Sequence, residues 1–210
     1  MLEVNALCCV RGEREIIRNL SFAVGDGQWA HVRGENGAGK TTLLKALTGL
    51  LRPASGTVTW NNQPIDKERE DYHRSLAYLG HSNALKDDMD AEENLQIACA
   101  IAGAPPVRPV AEALRLLGLN PANRSPMRAL SQGQKRRVAL ARLALTPARL
   151  WILDEPLAAL DTAAMSALCR LMDAHLAAGG SLVLTSHQPV ELAQPPIDIR
   201  PDATSPAAGP

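Results

Sequence analysis

Gly34-Glu35-Asn36-Gly37-Ala38-Gly39-Lys40-Thr41 matches the pattern G-x-x-x-x-G-K-[ST], and its surroundings give the match meaning. Ahead of it, Trp29-Ala30-His31-Val32-Arg33 alternates as a short strand does, and after it Leu43, Leu47, Leu50 and Leu51 recur at helical spacing. Strand, glycine loop and helix in that order build a phosphate cradle. Glycines let successive backbone N–H groups turn toward phosphate oxygens, and the partial positive charge at the start of the following helix favours the same anions. Residues Gly34 to Thr42 are therefore the expected nucleotide-binding segment, for ATP or GTP with Mg²⁺. Lys40 would reach the β- and γ-phosphates, the Thr41 hydroxyl would bind Mg²⁺, and Thr42 would add a further phosphate donor. A glycine loop shaped only for a tight turn leaves Lys40 unexplained.

Two more apolar runs end in polar residues. Leu150-Trp151-Ile152-Leu153 closes on Asp154-Glu155, and Leu182-Val183-Leu184 ends near His187. Both read as buried parallel strands, so their polar ends should converge with the glycine loop on one edge of a sheet. Two adjacent carboxylates at a strand end can divide the work: Asp154 orders the Mg²⁺ shell while Glu155 polarises an attacking water as general base.

Between these runs, roughly residues 84–145, the pattern is mainly helical. Pro105-Pro106 and Pro109 interrupt it, and Val138, Ala141 and Leu145 form an apolar stripe, as expected of an inserted helical subdomain. Asp161-Thr162 can cap a helix bearing Met165, Leu168, Met172 and Leu176, which Gly179-Gly180 would end. The expected organisation is one domain over 1–193. From Gln194 to 210 Pro, Ala, Ser and Gly dominate, the composition of a mobile tail.

Bulk properties exclude more than they name. The 210 residues suffice for one substantial core, and 22 basic residues balanced by 22 acidic ones provide no basic excess for nucleic acid or an anionic membrane. Cys8, Cys9, Cys99 and Cys169 have neither metal-ligand spacing nor a C-x-x-C pair, so they read as reduced packing residues. No segment approaches the roughly 18 apolar residues of a spanning helix, and Met1-Leu2-Glu3-Val4-Asn5 lacks the character of a signal peptide. Any membrane role is expected to come through partners.

Leu130-Ser131-Gln132-Gly133-Gln134 resembles the LSGGQ signature of ATP-binding cassette (ABC) ATPases, with Gln132 where the pattern has its first glycine. It lies between the glycine loop and Asp154-Glu155, the family's order. The resemblance implies an α/β P-loop NTPase of the ABC ATPase type, with a mainly parallel core sheet, an N-terminal antiparallel β part and the inserted helical subdomain. It implies ATP as the nucleotide, with Lys40, Glu155 and His187 catalytic, His187 being similar to the family's switch histidine. His31 and His73 have no such context. Ser131, Gln132, Gly133 and Gln134 would address the ATP held by a second copy of the chain, in a head-to-tail dimer. Ala158-Ala159-Leu160-Asp161 resembles the D-loop that joins the two sites. Ser131 also suits a helix N-cap, with the helix from Gln134 carrying Lys135, Arg136 and Arg137 on its exposed side, a solvated face rather than a nucleic-acid site.

Two positions depart from the family pattern. Where a tyrosine usually stacks on adenine, the chain offers Cys9, Val10 or Arg11, of which Arg11 can stack through its guanidinium plane. Where the Q-loop glutamine should follow a strand, Tyr78-Leu79-Gly80 leads to His81 and Ser82. His81 in that place can still hydrogen-bond near a Mg²⁺-bound water.

A narrower resemblance rests on Tyr78-Leu79-Gly80-His81, Leu150-Trp151-Ile152-Leu153-Asp154-Glu155-Pro156 and Thr185-Ser186-His187-Gln188-Pro189. These look like the ATPase subunits of the bacterial haem exporter of cytochrome c biogenesis. That likeness implies a peripheral protein on the cytoplasmic face of the inner membrane, bound to integral transporter subunits, with no haem ligand on this chain. An ATPase of another ABC transporter is the alternative. A soluble ABC mechanoenzyme of repair or translation would carry a long coiled coil or a second cassette, and neither is present.

Overall fold

The computed structural model describes residues 1–202. In chain order the elements are β1 (Leu2–Arg11), β2 (Arg14–Val24), β3 (Trp29–Val32), α1 (Lys40–Leu47), β4 (Ser55–Trp60) and β5 (Gln63–Pro64). There follow α2 (Arg69–Arg74), β6 (Leu76–Leu79), α3 (Ala91–Ala102), α4 (Val110–Leu116) and α5 (Gln132–Ala141). The last are β7 (Leu150–Leu153), α6 (Thr162–Ala177), β8 (Ser181–Thr185) and β9 (Ile197–Ile199).

Two sheets result. One is antiparallel, in the order β2-β1-β4-β5, and the other pairs β6-β7-β8-β3-β9 in parallel throughout. In β1 the buried positions run Leu2 and Val4, then Leu7 and Cys9, so the alternation slips by one residue between them. A bulge takes up the slip at Ala6, whose φ is 48° and whose N–H donates to Ser21 Oγ at 2.8 Å. On the next strand Gly56 lies so close that a Cβ there would sit 2.4 Å from the Ala6 carbonyl oxygen, so no side chain fits.

The parallel sheet separates two cores. Leu150 and Ile152 of β7 face α1 and the antiparallel sheet, whereas Trp151 and Leu153 face α6 and the helices of 84–145. Because both faces are covered, β7 and β8 are buried at every position, which explains their unbroken apolar runs. Val138, Ala141 and Leu145 are buried in the second core. α6 starts at the Asp161 cap, whose carboxylate accepts from Ala164 N at 2.8 Å, and its chain turns out at Gly179 with φ 80°.

Three expectations need correction. α1 stops at Leu47, because Thr48 caps it and Gly49 turns with φ 73°; Leu50 is then 66% exposed and off the helix. The segment from Gln194 is not simply a mobile tail. Gln194 O accepts from Trp29 Nε1 at 2.7 Å, Ile199 O accepts from Arg33 N at 2.8 Å, and Ile197–Ile199 forms an edge strand beside β3. A three-residue strand leaves almost no period to read, and it forms because the edge of β3 supplies unpaired backbone groups. Residues 203–210 of that segment lie outside the described residues. Finally, the helix after the signature begins at Gln132, not Gln134.

Two histidines make stability depend on pH. His31 is buried in β3, and His175 stacks on Trp151 with ring centroids 3.8 Å apart; burial lowers both below the ordinary histidine value of 6.5. The unfolded chain therefore binds more protons than the folded one as pH falls through 6.5, and stability falls with it. The melting temperature should drop between pH 7.5 and 5.5. His175→Phe keeps a ring against Trp151 and should flatten the profile, whereas parallel profiles would mean that His175 is not one of the groups responsible.

Candidate functional site

Parallel pairing sets the site. The C-terminal ends of β3, β6, β7 and β8 lie along one edge, carrying Gly34, Gly80, Asp154 and Ser186. Gly39, with φ 91°, ends the glycine loop where α1 begins, and a Cβ on it would come 2.7 Å from Ile16 Cγ2 of β2. Only glycine combines that conformation with that contact. Lys40 folds back over the loop, its Nζ donating to Gly34 O at 2.7 Å and Glu35 O at 3.1 Å. The ammonium thus sits at the mouth of the cradle, where a phosphate can exchange for the two carbonyls.

Asp154 is 4% exposed, and both its oxygens are engaged. Thr41 Oγ1 donates to Oδ2 at 3.0 Å, and Thr185 Oγ1 donates to Oδ1 at 2.7 Å. The Thr185 hydroxyl also accepts from Glu155 N at 2.9 Å, so one side chain of β8 orients both acidic residues. Glu155 is held at φ 48°, a conformation costing on the order of 1 kcal/mol or more for a residue with a side chain. Its Oε2 accepts from His187 N at 3.2 Å, while His187 Nε2 stands 3.5 Å from Oε1. That second separation is long for a hydrogen bond, and among the described residues Oε1 is buried without a hydrogen-bond partner.

Mg²⁺ fits this donor set. A hydroxyl from Thr41 and a carboxylate from Asp154 already lie 3.0 Å apart, hard oxygens that suit a small divalent cation sharing its shell with water and phosphate.

Ser131 caps α5 in a reciprocal pair. Its Oγ accepts from Gln134 N at 3.2 Å, and Gln134 Oε1 accepts from Ser131 N at 2.9 Å. Ser131 and Gln132 are exposed; Gly133 packs against the Ala158–Asp161 loop, where a Cβ would fall 2.8 Å from Ala159 O. Among the described residues no hydrogen bond joins 131–134 to the glycine loop or to Asp154 and Glu155 of the same chain.

The family model for ABC transporters matches residues 17–158, from β2 through the glycine loop and 131–134 to the Asp154-Glu155 turn. The chain belongs to the ABC transporter family. As an ABC ATP-binding chain it is 48% identical over 190 residues to the cytochrome c biogenesis ATP-binding export protein CcmA 1 of Salmonella paratyphi A, covering 90% of this chain and 91% of that one. It is also 48% identical to the CcmA export protein of Nitrosomonas europaea, over 90% and 89% of the two chains. A solved ATP-binding subunit of an ABC transporter superposes with a TM-score of 0.80 at 28% identity, over 89% of this chain and 79% of that one.

The ABC chain departs from its sequence reading at Arg136. Expected on an exposed face, it is 5% exposed, with Nη1 donating to Gly80 O at 3.3 Å and Asn83 Oδ1 at 3.1 Å. Its Nη2 donates to Asp154 O at 2.9 Å and Glu155 O at 2.8 Å. Three consecutive helical residues span about 200° of arc, so Lys135, Arg136 and Arg137 cannot all share one face. Burial lowers the Arg136 pKa, opposed by the charges of Asp154 and Glu155. Lys135 pairs with Asp87 at 3.2 Å, and Arg137 donates to Gly118 O at 3.4 Å.

Of the adenine-stacking candidates, Cys9 turns into the core with its thiol pushed up to about 11 by burial, which leaves Val10 and Arg11 exposed. His81 stands exposed in the loop after β6, and Asp161 serves as the α6 cap. His31 was unassigned by sequence. Its Nδ1 accepts from Arg33 Nε at 3.2 Å, so Nε2 carries the proton toward Ser186 O, also 3.2 Å away, next to His187. Nor does any local pattern mark the Thr185 hydroxyl or Ile16 as touching the site.

Proposed function

We propose that this chain is the ATP-hydrolysing subunit of a bacterial ABC exporter of cytochrome c biogenesis, working on haem destined for a periplasmic chaperone. The observation that carries it is 48% identity, over nine-tenths of both chains, to a named cytochrome c biogenesis export protein. No helix among the described residues is long and apolar enough to cross a membrane, which fits a peripheral subunit on the cytoplasmic face of the inner membrane. The haem path then belongs to integral partners, and this chain holds no haem ligand.

In this reading residues 34–42 bind ATP, with Lys40 and the loop amides on the phosphates. Thr41 and Asp154 hold Mg²⁺, which neutralises charge on the β- and γ-phosphates when bound. The Glu155 carboxylate takes the proton of the attacking water, and His187, 3.5 Å from it, keeps carboxylate and water in line. His81 stands in the Q-loop position. Ser131 and Gly133, flanked by Gln132 and Gln134, supply phosphate donors to the ATP of a second copy, and the Asp161 loop runs between the two sites. Two ATPs close the dimer and hydrolysis reopens it. The helical subdomain of about 84–145 swings with Ser131 and passes the motion to the membrane subunits.

Affinity capture from membranes, with a haem-loading assay on any chaperone recovered, tests this. Integral partners should co-purify, and ATP should raise the haem-loaded fraction. Co-purification with a permease of another cargo would overturn the haem assignment and leave the ATPase reading standing.

A further inference from the structure

We propose that Arg136 is a positioning residue that fixes the backbone of Glu155 and makes hydrolysis in one site depend on where that chain's signature helix stands. The inference rests on the reading of Glu155 as general base. Arg136 is 5% exposed, yet among the described residues no carboxylate lies within hydrogen-bonding reach of it; its four acceptors there are three backbone carbonyls and one side-chain amide. Its Nε is buried without a partner. The nearby charges of Asp154 and Glu155 offset part of the burial cost, but every direct hydrogen bond goes to a neutral acceptor, and an apolar side chain would fill the space without that cost. What an apolar side chain lacks is a planar fork of donors in fixed geometry.

That fork joins separate parts of the site. Nη1 holds Gly80 O and Asn83 Oδ1, either side of His81, and Nη2 holds the carbonyls of Asp154 and Glu155. Glu155 O also accepts from Ala158 N at 3.2 Å, where the D-loop begins. The peptide of Glu155, at φ 48°, is thereby gripped from two sides: Thr185 Oγ1 takes its N–H, and Arg136 takes its carbonyl. A strained conformation persists only when its surroundings impose it. Arg136 rides on α5, whose cap is Ser131, so a shift of the cap toward a partner's γ-phosphate moves the guanidinium with it. Nucleotide bound across the interface thus acts on the carboxylate that hydrolyses the other ATP.

The test uses the full chain purified with its membrane partners. Arg136→Met should lower kcat about 100-fold, the effect of misplacing a reacting group by about an ångström, with ATP affinity unchanged. Arg136→Lys should recover part of the loss, because an ammonium reaches some of the carbonyls but not all four acceptors. In a Glu155→Gln background Arg136→Met should add no further loss in single-turnover hydrolysis, since it acts through that carboxylate. Independent, multiplying losses would overturn the inference, as would unchanged kcat, or loss of ATP binding in step with melting. Should Arg136→Met fail to fold, Asn83→Ala removes one acceptor from the other end; kcat should fall severalfold at constant affinity, and an unchanged kcat counts against the proposal. Full turnover in Glu155→Gln alone would instead remove the general-base reading.

Discussion

Glu155→Gln is expected to reduce ATP turnover by on the order of a thousandfold, within the range for losing a general base, while ATP still binds. The amide has nearly the shape of the carboxylate, so its oxygen can still accept from His187 N, now at 3.2 Å from Oε2. Asp154 keeps its hydroxyl partners Thr41 and Thr185. What disappears is the basic carboxylate that would take the proton of the attacking water. In the proposed mechanism ATP closes the dimer and hydrolysis reopens it, so the variant should run on gel filtration as an ATP-dependent species of twice the 22.4 kDa chain mass. Turnover within a few-fold of the parent would refute the role given to Glu155.

Ser131→Asp should be nearly as damaging, by a different route. Aspartate is as good an N-cap as serine, so α5 keeps its start and Arg136 keeps its place. In the proposed dimer a negative charge would replace a hydroxyl donor opposite the partner's γ-phosphate. Turnover should fall about a hundredfold or more, whereas the affinity of the monomer for ATP and its melting temperature should stay close to those of the parent. Equal loss of monomer binding would show that 131–134 acts on its own chain's nucleotide. The capping pair between Ser131 and Gln134 makes aspartate the sharper probe, because a bulky substitution would disturb the helix as well.

The parts of the site that could be read from sequence are those whose chemistry lies in a few adjacent residues. The glycine loop, Asp154-Glu155 after its apolar run, and Ser131 before a helix each carry their meaning in local spacing. Their strands could be read for the same reason, since β7 and β8 are covered on both faces and so present unbroken apolar runs, Leu150–Leu153 and Leu182-Val183-Leu184. Arg136 was misread because a run of three basic residues looks like a solvated face, while the groups that neutralise its donors sit at 80, 83, 154 and 155. Likewise Thr185 follows the apolar run Leu182-Val183-Leu184 and carries no local mark of a contact with the acids. Its hydroxyl acquires a role only when parallel pairing sets β8 beside β7, with Leu153 opposite Leu184. β9 escaped notice because its three residues are stabilised by the edge of β3, 165 or more positions earlier, rather than by any pattern of their own.

The sequence by itself pointed to a nucleoside triphosphate and to the order of the strands that carry the acids, from covalent neighbours: glycines that free the backbone, a lysine at a helix start, carboxylates closing an apolar run. The choice of ATP and the expectation of a second chain came from the resemblance of 130–134 to the ABC signature. Tertiary structure alone decided how the acids are held. Thr41 and Thr185 meet Asp154 across 113 and 31 residues, and Arg136 reaches the carbonyl of a strained Glu155 from a helix. Hydrogen bonds between such distant residues depend on which strands lie side by side, and the parallel order β6-β7-β8-β3 settles that.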